Sequence, residues 1–84
     1  MLKIAYSKAA IKALKRMPAN ASKRIRAKIA AYATDPKSQQ ANVKKLQGRD
    51  AYRLRVGDWR VIMDRRGNVL AVLAIGPRGS VYED

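Results

Sequence analysis

The chain has no cysteine and no histidine, and only six acidic residues among 84. Each absence removes a class of chemistry. Without cysteine there is no disulfide framework, thiol nucleophile or thiolate zinc site, and without histidine there is no Ser-His or Cys-His pair. Ser7, Ser22, Ser38 and Ser80 therefore have no visible base, no two carboxylates sit where one acts as acid and the other as base, and no P-loop is present. No apolar run approaches the ~18 residues of a membrane span, and no charged-then-apolar leader opens the chain. A cytoplasmic protein is expected, with no membrane partner, no metal and no cofactor.

What is present is mainly positive charge. Nineteen Lys and Arg against six acids give a formal charge of +13 and a pI near 10.8. Such a surface draws polyanions: nucleic acid, with an affinity that falls steeply as salt releases the counterions, and, equally well on charge alone, an acidic protein partner. The cations are also sorted. All nine Lys lie at or before Lys45, whereas residues 49–84 hold seven Arg and no Lys. Flexible ammonium groups suit diffuse attraction to a phosphate backbone; the rigid guanidinium fork suits fixed geometry. Hydrophobic residues make up 48% of the chain, enough for the core of one small domain spanning residues 1–84.

Taken in order, Leu2 to Tyr6 alternates as a short strand, and Ser7 is placed to cap a helix over about Lys8 to Met17. Ile11, Leu14 and the alanines supply its apolar stripe, and Pro18 ends it. Asn20 is a cap for a second helix over about Ala21 to Thr34, whose Ile25, Ile29 and Tyr32 fall at i, i+4 and i+7. The short link makes the pair an antiparallel helical hairpin. No acid precedes Asp35, so neighbours such as Lys8 with Lys12 and Lys12 with Arg16 repel, and packing must hold the helices. Residues 35–48 read as a connecting loop with Val43 and Leu46 tucked in and Lys44 and Lys45 exposed.

Residues 51–56 and 59–64 then alternate apolar with polar around Gly57-Asp58, which fits a two-residue primed turn. That loop length sets the register: Val56 faces Trp59, Arg55 faces Arg60, Leu54 faces Val61 and Arg53 faces Ile62. Leu54, Val56, Trp59 and Val61 form an apolar face for the helices. Arg53, Arg55 and Arg60 share the other, with Arg55 and Arg60 directly opposed, an arrangement that destabilises a sheet unless an anion relieves it. Guanidiniums that grip two oxygens at once suit a phosphodiester. After a turn at Arg65-Arg66-Gly67-Asn68, the run Val69 to Ile75 is apolar on both faces, as in a central strand covered on both sides, and Ala71, Leu73 and Ile75 are expected to floor a groove beside the arginines. Gly76 to Asp84 returns Arg78 and Tyr82 to the strand ends.

The segment Tyr52-Arg-Leu-Arg-x-Gly-Asp-Trp-Arg-Val-Ile, followed by an apolar strand and Ile75-Gly-x-Arg-Gly-x-Val-Tyr82, resembles the RelE/ParE superfamily of bacterial toxin-antitoxin toxins, and RelE-type toxins in particular. The resemblance spans the chain. It implies an α+β, RelE-like fold in which an N-terminal strand and an antiparallel helical hairpin pack on one face of a twisted, mainly antiparallel sheet. It also implies a ribosome-dependent endoribonuclease that cuts mRNA in the A site by attack of the 2′-hydroxyl, leaving a 2′,3′-cyclic phosphate and a 5′-hydroxyl. The family's working residues map onto Arg53, Arg55, Arg60, Arg78 and Tyr82. Lys12, Lys15, Arg16, Lys23, Arg24, Lys44 and Lys45 are candidates for contact with RNA and the ribosome. The implied partners are an acidic, RelB-like antitoxin and the 70S ribosome with its mRNA and ribosomal RNA. Three positions depart from the pattern. Some relatives have Lys where Arg53 and Arg55 stand, and Pro77 occupies a position that is often His, so no general base is identified. The alternative within the superfamily is a ParE-type toxin that inhibits DNA gyrase without cutting RNA.

Overall fold

Ser7 caps the first helix in a way that also ties it to the sheet. In the computed structural model, which describes residues 1–48 and 50–79, the Ser7 Oγ accepts from the Ala10 N–H at 3.0 Å and donates to the Leu73 carbonyl at 2.7 Å. The strand before it is β1 (Lys3–Tyr6) and the helix is α1 (Lys8–Arg16). Met17 is held extended by the following proline, and α2 (Ala19–Thr34) begins immediately after Pro18. The second helix thus starts two residues earlier than expected, with Pro18 rather than Asn20 at its N-cap, a position where a missing N–H costs nothing. The link between the helices is only two residues long.

The stripe on α2 holds: Ile25, Ile29 and Tyr32 are buried, joined by Ala33. On α1 the expected stripe is rotated by one residue. Ala10, Leu14 and Met17 are buried, while Ile11 is 40% exposed, because the i, i+4, i+7 row that meets the sheet starts at Ala10. No helix among the described residues is long and apolar enough to cross a membrane.

Residues 35–48 are not a plain loop. They form a 3-10 helix (Pro36–Asn42) and a three-residue strand β2 (Val43–Lys45), followed by a turn that buries Leu46. The sheet is completed by β3 (Tyr52–Val56), β4 (Trp59–Arg66) and β5 (Val69–Pro77). Its order is β1-β5-β4-β3-β2, with β1 parallel to β5 and every other pairing antiparallel. The two short strands, β1 and β2, are its margins.

Both helices pack on one face, where Leu54, Val61, Met63, Leu70 and Val72 are fully buried against Ile25 and Ile29. Each such side chain stabilises the fold by roughly 1.5–3 kcal/mol. A smaller cluster lies on the opposite face: Leu46, Ala51 and Ile62, with Leu73 and Ala74 against them.

The parity of β5 explains one departure from expectation. Its pairing with β4 slips between Ile62 and Met63, so that Ile62 faces Ala74, Met63 faces Val72 and Leu73 is left unopposed. This bulge turns everything after it over. Ile75 consequently faces Val61 and joins the helix-side core rather than the arginine side. Of the expected floor beside the arginines, Leu73 stays and packs with Ile62 and Ala74, while Ala71 lies opposite Asp64 further along that face.

Candidate phosphate-binding face

The β3–β4 register is the one the two-residue loop dictates: Tyr52 with Met63, Arg53 with Ile62, Leu54 with Val61, Arg55 with Arg60 and Val56 with Trp59. Gly57 has φ of 58° and no non-glycine among the described residues has positive φ, so the turn demands glycine at its first central position only. Directly opposed residues project to the same side of a sheet. Arg53, Arg55 and Arg60 therefore share the face away from the helices. The β2 pairing adds Lys44, which lies opposite Arg53.

Two rows of this face can be followed across the strands. One runs Lys44, Arg53, Ile62, Ala74; the other runs Arg55, Arg60, Gly76. Gly76, at the β5 end of that row, carries no side chain and is buried. Arg60 is partly buried, and its Nη1 donates to the Gly57 carbonyl at 3.1 Å and the Trp59 carbonyl at 3.0 Å. These bonds fix the guanidinium at the root of the turn. Arg78 follows β5, and its backbone N–H donates to the Asp58 carbonyl at 2.7 Å, fastening the end of β5 to the tip of the neighbouring hairpin.

The electrostatics report the same convergence. The Arg60 pKa is pulled below the usual guanidinium value first by burial and then by the charges of Arg53, Arg78 and Arg55, with Asp58 acting in the opposite sense. The charges of Arg53 and Arg55 on β3 and of Arg78 after β5 thus all act on the Arg60 guanidinium. Asp58 compensates them in part, which the hairpin pattern alone did not indicate. Asp64 shares this face at the far end of β4 and is matched locally, with its Oδ2 3.2 Å from the Arg66 Nε. Arg60 remains a cation, since a guanidinium does not lose its proton in water at ordinary pH. The face can bind and hold an anion with several oxygens; its arginines cannot serve as a general base.

The remaining candidates separate. Lys44 joins the arginine face. Lys45, opposite Tyr52, is turned to the helix side, where it lines a depression with Tyr32, Pro36, Lys37, Gln40, Val43 and Tyr52. Lys12 and Arg16 border an apolar cleft between α1 and the β4–β5 ends that contains Trp59, Met17, Ile75 and Pro77. Lys15 and Lys23 lie in a shallow depression over both helices, with Arg26 and Ser22. Arg24 reaches from α2 to the hairpin tip: a methyl group placed on Gly57 would lie 2.6 Å from its Nη2. Tyr82 lies outside the described residues. The local sequence gives no signal for the position of Arg24, because it depends on how α2 crosses the sheet.

Comparison with known proteins agrees with this arrangement. No curated protein matches the chain. Among solved structures, the archaeal RelE-RelB complex from Pyrococcus horikoshii contains a chain 29% identical, with a TM-score of 0.77 over 95% of this chain and 98% of that one. The RelB-RelE antitoxin-toxin complex from Methanococcus jannaschii matches at 28% identity and a TM-score of 0.69, covering 98% and 95%. The intact Escherichia coli RelBE toxin-antitoxin complex, at 18% identity, matches in fold, with a TM-score of 0.77 over 92% and 96%. The profile of the ParE toxin of the parDE type II toxin-antitoxin system matches residues 4–82. Strand order, helical hairpin and the full-length profile match converge on one assignment: this chain belongs to the ParE toxin family, within the RelE/ParE superfamily of type II toxin-antitoxin toxins.

Proposed function

We propose that this toxin is a ribosome-dependent endoribonuclease that cuts mRNA in the A site, and that Arg53, Arg55, Arg60 and Arg78 hold the phosphate that reacts. The observation that carries the reading is the gathering of guanidiniums around Arg60, with Arg55 directly opposed to it across the strands. Such crowding weakens the sheet and is relieved by a polyanion. In the reaction the 2′-oxygen bonds to phosphorus while the bond to the 5′-oxygen breaks. The 2′-proton leaves to solvent or a ribosomal group, and the departing 5′-oxygen takes up another. Negative charge builds on the phosphoryl oxygens, where preorganised cations act most strongly. Arg60, anchored on the turn, and Arg55 opposite it take that charge; Arg78 supports the leaving oxygen.

An acidic antitoxin is the matching partner, since it would neutralise the same face. The solved relatives held in RelE-RelB complexes support that reading. A second reading is inhibition of DNA gyrase, favoured by the ParE profile itself. Purified protein added to translating ribosomes, with the mRNA ends mapped, tests the two beside a gyrase supercoiling assay. Codon-phased cleavage that is lost in Arg60→Ala, with gyrase unaffected, is expected. Gyrase inhibition without any new mRNA ends would replace this reading with the second.

A further inference from the structure

The sequence places Arg24 among the cations expected to contact RNA and the ribosome, and its position in the fold is specific. Its guanidinium leaves α2 and lies against Gly57, close enough that a Cβ there would approach Nη2 to 2.6 Å. The same residue accepts the Arg60 Nη1 through its carbonyl, and the adjoining Asp58 carbonyl accepts the Arg78 N–H. Three arginines from α2, β4 and the segment after β5 thus converge on one two-residue turn.

Asp58 is the acid of that turn, and its charge acts on Arg60. Among the described residues, one carboxylate against the guanidiniums of Arg24 and Arg60 leaves the tip positive. Arg24 itself is exposed and bonds to no acid or carbonyl among the described residues. A long, flexible cation held at the same glycine that anchors Arg60, and open to solvent, is placed to meet an anion from outside.

We propose that Arg24 takes a second RNA phosphate, adjacent to the one held by Arg55 and Arg60, so that the strand leaves the sheet face over the Gly57-Asp58 turn towards α2. This rests on the RNA-cleaving reading above and adds a direction to it. The footprint begins at Lys44 on the sheet margin, crosses Arg53, Arg55 and Arg60, and ends at Arg24.

The test is binding of the purified toxin to single-stranded RNAs of three and of seven nucleotides, 2′-O-methylated so that they are not cut, measured by fluorescence anisotropy across a salt series. Arg60→Ala is expected to weaken both. Arg24→Ala is expected to weaken the seven-nucleotide RNA roughly tenfold, the loss of one charge-assisted hydrogen bond, and to flatten its salt slope by about 0.7. The three-nucleotide RNA, too short to reach the tip, changes by less than about twofold. Lys28→Ala removes the same charge from the same helix and is expected to alter both RNAs by less than about twofold; melting curves of both variants match the wild type. Equal losses for Arg24→Ala and Lys28→Ala, or equal losses on both RNAs, would overturn the placement of Arg24 while leaving the arginine face intact. Failure of the wild type to bind either RNA would overturn this inference, while the cleavage reading is decided separately by the mRNA ends mapped on translating ribosomes.

Discussion

The two faces of one hairpin follow opposite rules. Leu54 and Val61 are opposed on the helix side and fully buried, whereas Arg55 and Arg60, one residue away on the same strands, are opposed on the other side and repel. Burial of one such aliphatic pair stabilises the fold by roughly 3–6 kcal/mol, while a like-charge pair costs about 0.2–1 kcal/mol. The magnitudes decide which face sets the fold. The helix side holds the strands in register so firmly that the arginine side is free to be arranged for an outside ligand, against its own stability.

Substitutions on the two sides should therefore fail differently. Leu54→Ala is expected to cost about 2–5 kcal/mol in chemical denaturation, a large share of the stability of a small domain, and to lose toxicity only because the fold is lost. Arg60→Ala is expected to reduce RNA cleavage by roughly 10²–10³-fold, while its stability changes by no more than about 1 kcal/mol, since water can replace its bonds to the turn carbonyls. An Arg60→Ala protein that is unfolded, or that still arrests growth, would erase the distinction between the faces. Arg55→Gln should go the other way, stabilising the protein by about 0.2–1 kcal/mol in low salt. That gain should vanish near 1 M salt, where the screening length is about 3 Å.

The smallest expected effect is at high pH, on the helix side. Burial raises the Tyr6 pKa, and the Arg26 charge beside its ring partly opposes the shift. A phenol that ionises less readily when folded contributes stability that is intact below the ordinary tyrosine pKa of about 10 and is lost as pH rises through its folded value. Thermal melts from pH 8 to 11 should show this decline weakened in Tyr6→Phe.

How much of this the sequence disclosed depended on whether the deciding signal was local. The β3–β4 hairpin was legible residue by residue because strict alternation and a two-residue loop leave one register, and the register alone assigns Arg53, Arg55 and Arg60 to one side. Ser7 was legible as a cap for the same reason. By contrast, Val69 to Ile75 is apolar throughout, so nothing in its pattern marks the bulge at Leu73 that carries Ile75 to the core. Residues 35–48 look like a loop because the 3-10 helix is polar and β2 is three residues long, held by pairing with β3 rather than by its own propensity. Ile11 and Ala10 exchange roles because packing against β5 selects the small residue for the close approach. Arg24 could not be placed at all without the crossing of α2 over the turn.

The sheet's short margins have a consequence for a protein of this kind. Unpaired backbone along a sheet edge is a template on which further copies can polymerise, and brevity and lysine are the usual deterrents. Here β1 spans four residues and β2 three, and Lys3, Lys44 and Lys45 stand on them. With margins this short and this rich in lysine, the chain offers its own copies little backbone to build on.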